Sequence, residues 1–273
     1  MKTMSANSLN SPLFVLPGIY GDKSELAEFQ SRLSDTMPVE ILELQSIQEP
    51  AAELTDMKAI GRAVACVISQ RSPDGFLRLA GYSFGGSVAF EAARHLIDSG
   101  RSLRFLGIID VPSPPEPKAD LVRGISWGRR AMGLIRKISA GGHGGFLGLA
   151  YRATRESLGR FCTSDTRLRG VLETVRRFWP SREEIVRRML LYYFRRRAMR
   201  DWRPTPIRGP VFVAISEENS SSIERWNTLC PQARMVQLPG NHVKVFEPPA
   251  LEILISEFRD FVQRADLNQP QFS

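Results

Sequence analysis

The chain reads as an α/β protein, a mostly parallel sheet with helices on both faces and one long helical insertion. Three observations predict this. Short apolar runs alternate with stretches of helical period at both ends of the 273-residue sequence. Over residues 76–90 an apolar run passes through a glycine-flanked turn straight into a helix. Between Pro115 and Arg208 the alternation stops and the charge changes character: 22 Lys and Arg stand against 8 Asp and Glu, a net +14, while the remainder carries −6 of the overall +8. The expected organisation is therefore a core of 13–114 and 209–265, a basic helical lid of 115–208, and flexible termini at 1–12 and 266–273.

Taken in order, Leu13-Phe-Val-Leu16 is a short buried strand that ends at Pro17-Gly-Ile-Tyr-Gly21. A helix follows over 24–33, with Ser24 as its N-cap and Leu26, Phe29 and Leu33 on one face. Residues 39–44 form a second strand, and 57–68 a helix whose inner face is Met57, Ile60, Val64 and Val67 or Ile68. The run Phe76, Leu77, Leu79, Ala80 is a third strand, and the helix after it lasts until Gly100. Residues 103–109 are a fourth strand ending on Asp110, beyond which Val111-Pro-Ser-Pro-Pro-Glu-Pro117 breaks regular structure.

In the insertion, Gly141-Gly-His-Gly-Gly145 is a turn. Ser181 and Glu184 form a capping box for a helix that reaches Arg200, with Ile185, Met189, Tyr193 and Met199 near one side. The sheet resumes at 211–215 and 233–238, and 251–262 is a closing amphipathic helix.

The centre of this pattern is Gly81-Tyr-Ser-Phe-Gly85, continued by Gly86. Small residues on either side let the backbone take a tight turn that lifts the Ser83 hydroxyl above the sheet edge, and strand before and helix after are the context this G-x-S-x-G elbow requires. A structural glycine turn is the plain alternative. A serine hydroxyl needs an adjacent base. His95 lies twelve residues along the elbow helix, about 18 Å along its axis, out of reach. His143 sits in the glycine turn, too mobile for a preorganised base. His242 follows a strand and a Pro-Gly turn at the carboxyl edge of the sheet, where the elbow also lies, and is chosen by elimination.

The acid that orients the histidine is assigned to Asp110, a charge at the end of an apolar strand, with Glu217 and Glu218 as rivals after the next sheet strand. An oxyanion would be received by the N–H of Phe84 and by a second N–H from Gly18, Ile19 or Tyr20.

Together these pieces resemble the α/β-hydrolase thioesterase domains at the ends of non-ribosomal peptide synthetases, polyketide synthases and fatty acid synthases. The likeness is carried by Phe14-Val-Leu-Pro-Gly18, the elbow, Ile108-Ile-Asp110 with an insertion directly after it, Trp226, and Pro239-Gly-Asn-His242. The family's acid follows the strand after the elbow, which is the place of Asp110. The resemblance implies release of an acyl or peptidyl chain from the phosphopantetheine arm of a carrier protein, by hydrolysis or cyclisation, without cofactor or metal. The loop Pro17-Gly-Ile-Tyr-Gly21 departs from the family's Pro-x-Gly-Gly. With no carrier domain ahead of the hydrolase, the expected partner is an acyl or peptidyl carrier protein met in trans. A small-ester carboxylesterase or lipase-like enzyme and a non-catalytic acyl-binding module are the alternatives.

The rest of the sequence narrows the setting. No apolar leader follows Lys2, and no run approaches the ~18 apolar residues of a membrane span. Cys66, Cys162 and Cys230 are odd in number and scattered, which suits a reducing cytoplasm, and no C-x-x-C or H-E-x-x-H pattern suggests a metal. No repeat or nucleic-acid motif occurs.

Overall fold

The strands are short, and the four central ones are buried along their whole length, as a parallel sheet covered on both faces requires. In a computed structural model, which describes residues 11–44, 55–113, 165–178, 183–268 and 272, they are β1 (Leu13–Leu16), β2 (Val39–Ile41), β3 (Leu77–Tyr82), β4 (Leu103–Ile109), β5 (Val211–Ser216) and β6 (Arg234–Leu238). They form one sheet in the order β2-β1-β3-β4-β5-β6, and every neighbouring pair is parallel. Parallel pairing demands crossovers, and helices supply them: α1 (Ala27–Leu33), α2 (Met57–Arg71), α3 (Phe84–Asp98) and α6 (Ile223–Leu229), with α4 (Asp165–Phe178) and α5 (Glu183–Asp201) between β4 and β5, and α7 (Ala250–Asn268) following the last strand. The α/β class and parallel sheet agree with the sequence reading.

The described residues fall into two compact units, one of 11–44, 56–113 and 204–268, the other holding 165–178 and 183–203. In the first, α1 and α7 cover one sheet face. Phe258 of α7 meets Phe29 of α1 and Phe105 and Phe212 of the sheet edge-on, with centroids 5.1–5.7 Å apart. Each such ring contributes about 1.5–3 kcal/mol by burial. The other face carries α3 with α2 against it, and Trp226 of α6 packs edge-on to Phe90 while its indole N–H donates to the Val111 carbonyl.

At the amino edge of the sheet Arg78 and Arg104, both buried, share one carboxylate. Arg78 Nη2 donates to Asp266 Oδ1 and Oδ2 at 3.1 and 3.2 Å, and Arg104 Nε stands 3.5 Å from Oδ1. In the second unit α4 packs on α5, where Leu190, Phe194 and Ala198 are buried.

Several boundaries differ from expectation. The first helix opens with a 3-10 turn, Lys23–Leu26, capped by Asp22, whose carboxylate accepts from the Ser24 N–H at 2.9 Å. A carboxylate is the stronger acceptor, and it places Ser24 inside the turn. The second strand stops at Ile41, and α2 adds a turn beyond Ile68. The closing helix runs to Asn268, because Ala265 is buried and Asp266 is paired, a tertiary reason that amphipathic period does not register.

On α5 the buried row is Leu190, Phe194 and Ala198, while Tyr193 and Met199 are half-buried. Five consecutive apolar or aromatic residues, Leu190 to Phe194, leave periodicity no single face to select. Ser181, His143, Cys162 and the glycine turn 141–145 lie outside the described residues. Cys66 is exposed, and burial pushes the Cys230 thiol up to about 12. Among the described residues no helix is long and apolar enough to cross a membrane.

Candidate active site

Strand β3 ends at Tyr82 and α3 begins at Phe84, so Ser83 alone makes the turn between them. It does so at φ 53° and ψ −124°, a conformation that costs a non-glycine residue about 1–3 kcal/mol and persists only where the surroundings impose it. They impose it by close approach. A Cβ on Gly81 would lie 2.3 Å from the Gly85 carbonyl oxygen, and one on Gly85 would lie 2.2 Å from that of Pro17. The Ser83 N–H is held by the Ile109 carbonyl at 2.9 Å. The hydroxyl is thereby fixed at the carboxyl edge of the sheet.

Asp110 ends the neighbouring strand and also has a left-handed backbone, φ 47°. Its N–H donates to the Ala214 carbonyl at 2.7 Å, and its side chain is fully buried. Three donors converge on the carboxylate: the Ser216 N–H at 2.7 Å on Oδ1, and Asn219 Nδ2 at 3.1 Å and His242 Nδ1 at 2.6 Å on Oδ2. Burial opposes the charge, but the bonds from His242, Ser216 and Asn219 outweigh it and hold the carboxyl below its ordinary range. An ionised carboxylate only accepts, so Nδ1 of His242 is the protonated nitrogen and Nε2 is free to accept. Nε2 lies 2.9 Å from Ser83 Oγ.

His242 opens the 3-10 turn His242–Lys244 after β6 and is gripped through its main chain as well as its ring. Its N–H donates to Glu218 Oε2 at 2.8 Å, and its carbonyl accepts from the Tyr82 hydroxyl at 2.8 Å. The Tyr82 ring stacks on the imidazole, centroids 5.0 Å apart at 21°. Burial, with the charges of Glu25, Asp110 and Glu218, pushes the Tyr82 phenol well above its ordinary value, so it remains a donor. Glu217 accepts from the Gly240 N–H at 2.9 Å.

The structure thus brings Ser83, Asp110 and His242 together and puts Glu217 and Glu218 on the backbone of the histidine's loop rather than on its ring. His95 is elsewhere, its Nε2 3.0 Å from the Lys58 carbonyl. Phe84 begins α3 directly after the serine. Gly18 lies two residues beyond Leu16, the register partner of Gly81. Its loop is closed by the Gly21 N–H on its carbonyl at 2.9 Å, and its own N–H donates to the Glu25 carboxylate. Ile19 and Tyr20 lie in the same loop. Tyr82, Asn219 and Glu25 escaped sequence reasoning: Tyr82 was visible as the variable residue of the elbow, whereas Asn219 and Glu25 carry no local signal. Among the described residues no three of His, Cys, Asp and Glu cluster as a metal requires.

The model of the thioesterase domain family matches residues 11–262. The chain belongs to that family. The curated relatives that this thioesterase-family chain matches are much longer. It is 28% identical over 128 residues, 46% of this chain but 13% of the relative, to an inactive atromentin synthetase of Paxillus involutus. Among solved structures, the NocB thioesterase domain in covalent complex with a fluorophosphonate nocardicin G analogue superposes with TM-score 0.57 at 17% identity, covering 95% of this chain and 96% of that one. YbtT, a type II thioesterase from a yersiniabactin synthesis pathway, superposes with TM-score 0.59 at 17% identity, covering 96% and 97%. At these identities the likeness is one of fold.

Proposed function

We propose that the chain is a serine thioesterase that releases an acyl or peptidyl group from the phosphopantetheine thioester of a carrier protein, by hydrolysis or cyclisation. His242 Nε2 takes the proton of Ser83 as Oγ attacks the thioester carbonyl. The tetrahedral oxyanion is received by the Phe84 N–H and by a loop N–H of Gly18 or Ile19, the C–S bond breaks, and the thiol leaves with the proton from His242. Water, or a nucleophile on the acyl chain, then gives its proton to Nε2 and attacks the acyl-serine; Ser83 regains a proton from His242 as the product departs. Asp110 holds the tautomer throughout and balances the imidazolium.

The observation that carries this reading is His242 between two partners, 2.9 Å from Ser83 and 2.6 Å from Asp110, in a chain of the thioesterase family. A carrier substrate, a cytoplasmic setting and a separate basic insertion at 115–208 belong to the same proposal. They are supported by the synthetase relatives and the +14 charge of that segment.

The test is labelling with a fluorophosphonate, followed by rates on a matched acyl pantetheine thioester and oxygen ester. The proposal expects one adduct on the wild type, none on Ser83→Ala, and preference for the thioester. An adduct that survives Ser83→Ala removes the serine from its role, and preference for the oxygen ester makes the protein an esterase.

A further inference from the structure

One carboxylate stands at the site with no part in the reaction above. Glu25, in the 3-10 turn Lys23–Leu26, is half-buried and accepts the Gly18 N–H. Its carboxylate also lies flat on the Gly18 Cα, where a Cβ would stand 2.9 and 3.0 Å from its two oxygens. The β1–β3 register sets Leu16 opposite Gly81, so the loop that carries Gly18 leaves the sheet at the same carboxyl edge as the Ser83 turn. Gly18, one of the loop donors assigned to the negative charge of the tetrahedral intermediate, already holds a negative charge from the chain itself.

The groups that face Glu25 do not account for it as an ion pair. Asp22, the cap of its own turn, is a second negative charge. His242 from the β6–α7 loop and Tyr82 from β3 are the titratable neighbours, and no Lys or Arg pairs with it among the described residues. Burial, the largest influence, pushes its carboxyl up, against the Gly18 bond. A neutral side chain would satisfy one loop N–H with less desolvation.

We propose that Glu25 is an internal stand-in for the oxyanion: it occupies the Gly18 donor in the resting protein and swings out when an acyl thioester enters. This rests on the serine-thioesterase reading. Being partly exposed on a short turn, the side chain can leave without disturbing β1 or the elbow. A thioester must then bring enough binding energy from its acyl chain or carrier to displace a carboxylate, so small esters meet a closed site.

The experiment is the second-order rate of Ser83 labelling by a short, uncharged fluorophosphonate on the full chain, measured for wild type, Glu25→Ala and Glu25→Gln, with thermal melts of each. If the donor is occupied nine parts in ten, Glu25→Ala labels about tenfold faster, and Glu25→Gln, which keeps the acceptor without the charge, falls between. A Glu25→Ala protein of unchanged Tm that labels no faster overturns the proposal and makes Glu25 a loop brace. Should the alanine variant melt early, the glutamine variant decides: a rate no higher than wild type overturns the proposal equally. Absence of Ser83 labelling in all three proteins fails the underlying reading instead, and the proposal with it.

Discussion

Replacing Asp110 by Asn sets three donors against one remaining acceptor. In the wild type Oδ1 accepts the Ser216 N–H at 2.7 Å, and Oδ2 accepts Asn219 Nδ2 at 3.1 Å and His242 Nδ1 at 2.6 Å. The buried Ser216 N–H claims the new amide's oxygen, which turns its NH2 toward Asn219 and His242. Asn219 can answer by rotating its own amide. His242 can answer only by moving its proton to Nε2, so that Nδ1 accepts, and Nε2 then cannot take the Ser83 proton. The expected loss in kcat is on the order of 10⁴, the scale found when a serine hydrolase keeps its geometry but holds the wrong tautomer. That is about 5.5 kcal/mol of transition-state stabilisation. Glu217→Gln and Glu218→Gln each keep an acceptor for the Gly240 and His242 N–H groups and should cost less than about tenfold. Single-turnover kinetics on an acyl thioester, with a melt of each variant, makes the comparison. A folded Asp110→Asn protein within about tenfold of wild type, or a larger loss at Glu218→Gln, would refute the reasoning.

Tyr82→Phe keeps the ring stacked on His242 but deletes the bond to its carbonyl; it should cost about 1 kcal/mol of stability and a few-fold in kcat, with Tyr82→Leu worse in both. A kcat unmoved by either change reduces Tyr82 to packing. The Asp110 carboxyl is depressed in the folded state, so its ionised form stabilises the protein above the ordinary value of 3.8, and this contribution fades only as pH falls through the lower folded value. The Tm gap between wild type and Asp110→Asn should accordingly hold from neutral pH down to that range and close below it; closure while the pH is still well above 3.8 contradicts the assignment.

If the basic insertion steers an acidic carrier, kcat/KM for an acyl-carrier substrate falls steeply as the Debye length shortens from about 30 Å at 0.01 M salt to about 8 Å at 0.15 M, while a short neutral thioester is indifferent. Charge reversal belongs at the exposed Arg196, Arg197 and Arg200 and not at Arg195, which is buried. An equal response of both substrates means a solvated surface.

What could be read in advance was whatever is local in the chain. The β3–Ser83–α3 corner is legible because the apolar run, the glycines and the helical period are contiguous, and β4 and β5 because Leu103 to Ile109 and Val211 to Ile215 are apolar runs bounded by breakers. Helix α6 was not legible: Glu217 to Ser222 looks like loop, and only Ile223, Trp226 and Leu229 of the helix are apolar. That Asp110 and His242 would share one edge follows from strand direction, but their partners do not. Asn219 reaches Asp110 because β5 pairs beside β4 with Ile109 opposite Ala214, a register no local pattern encodes. The same holds for Glu25, whose neighbour Gly18 is set by the turn that Asp22 caps.

The Asp266 pairing bears on where this chain can be shortened. Apolar period in the last helix fades at Val262, which makes the residues beyond it look dispensable. A stop codon there would remove the only carboxylate paired with Arg78 and Arg104 among the described residues, leaving two guanidinium groups inside the sheet edge without a counter-ion. Stranding a buried charge costs about 3–5 kcal/mol, a large share of the stability of an ordinary domain. The final turn of α7 therefore acts as a latch, and any trimming for expression or fusion has to keep Asp266.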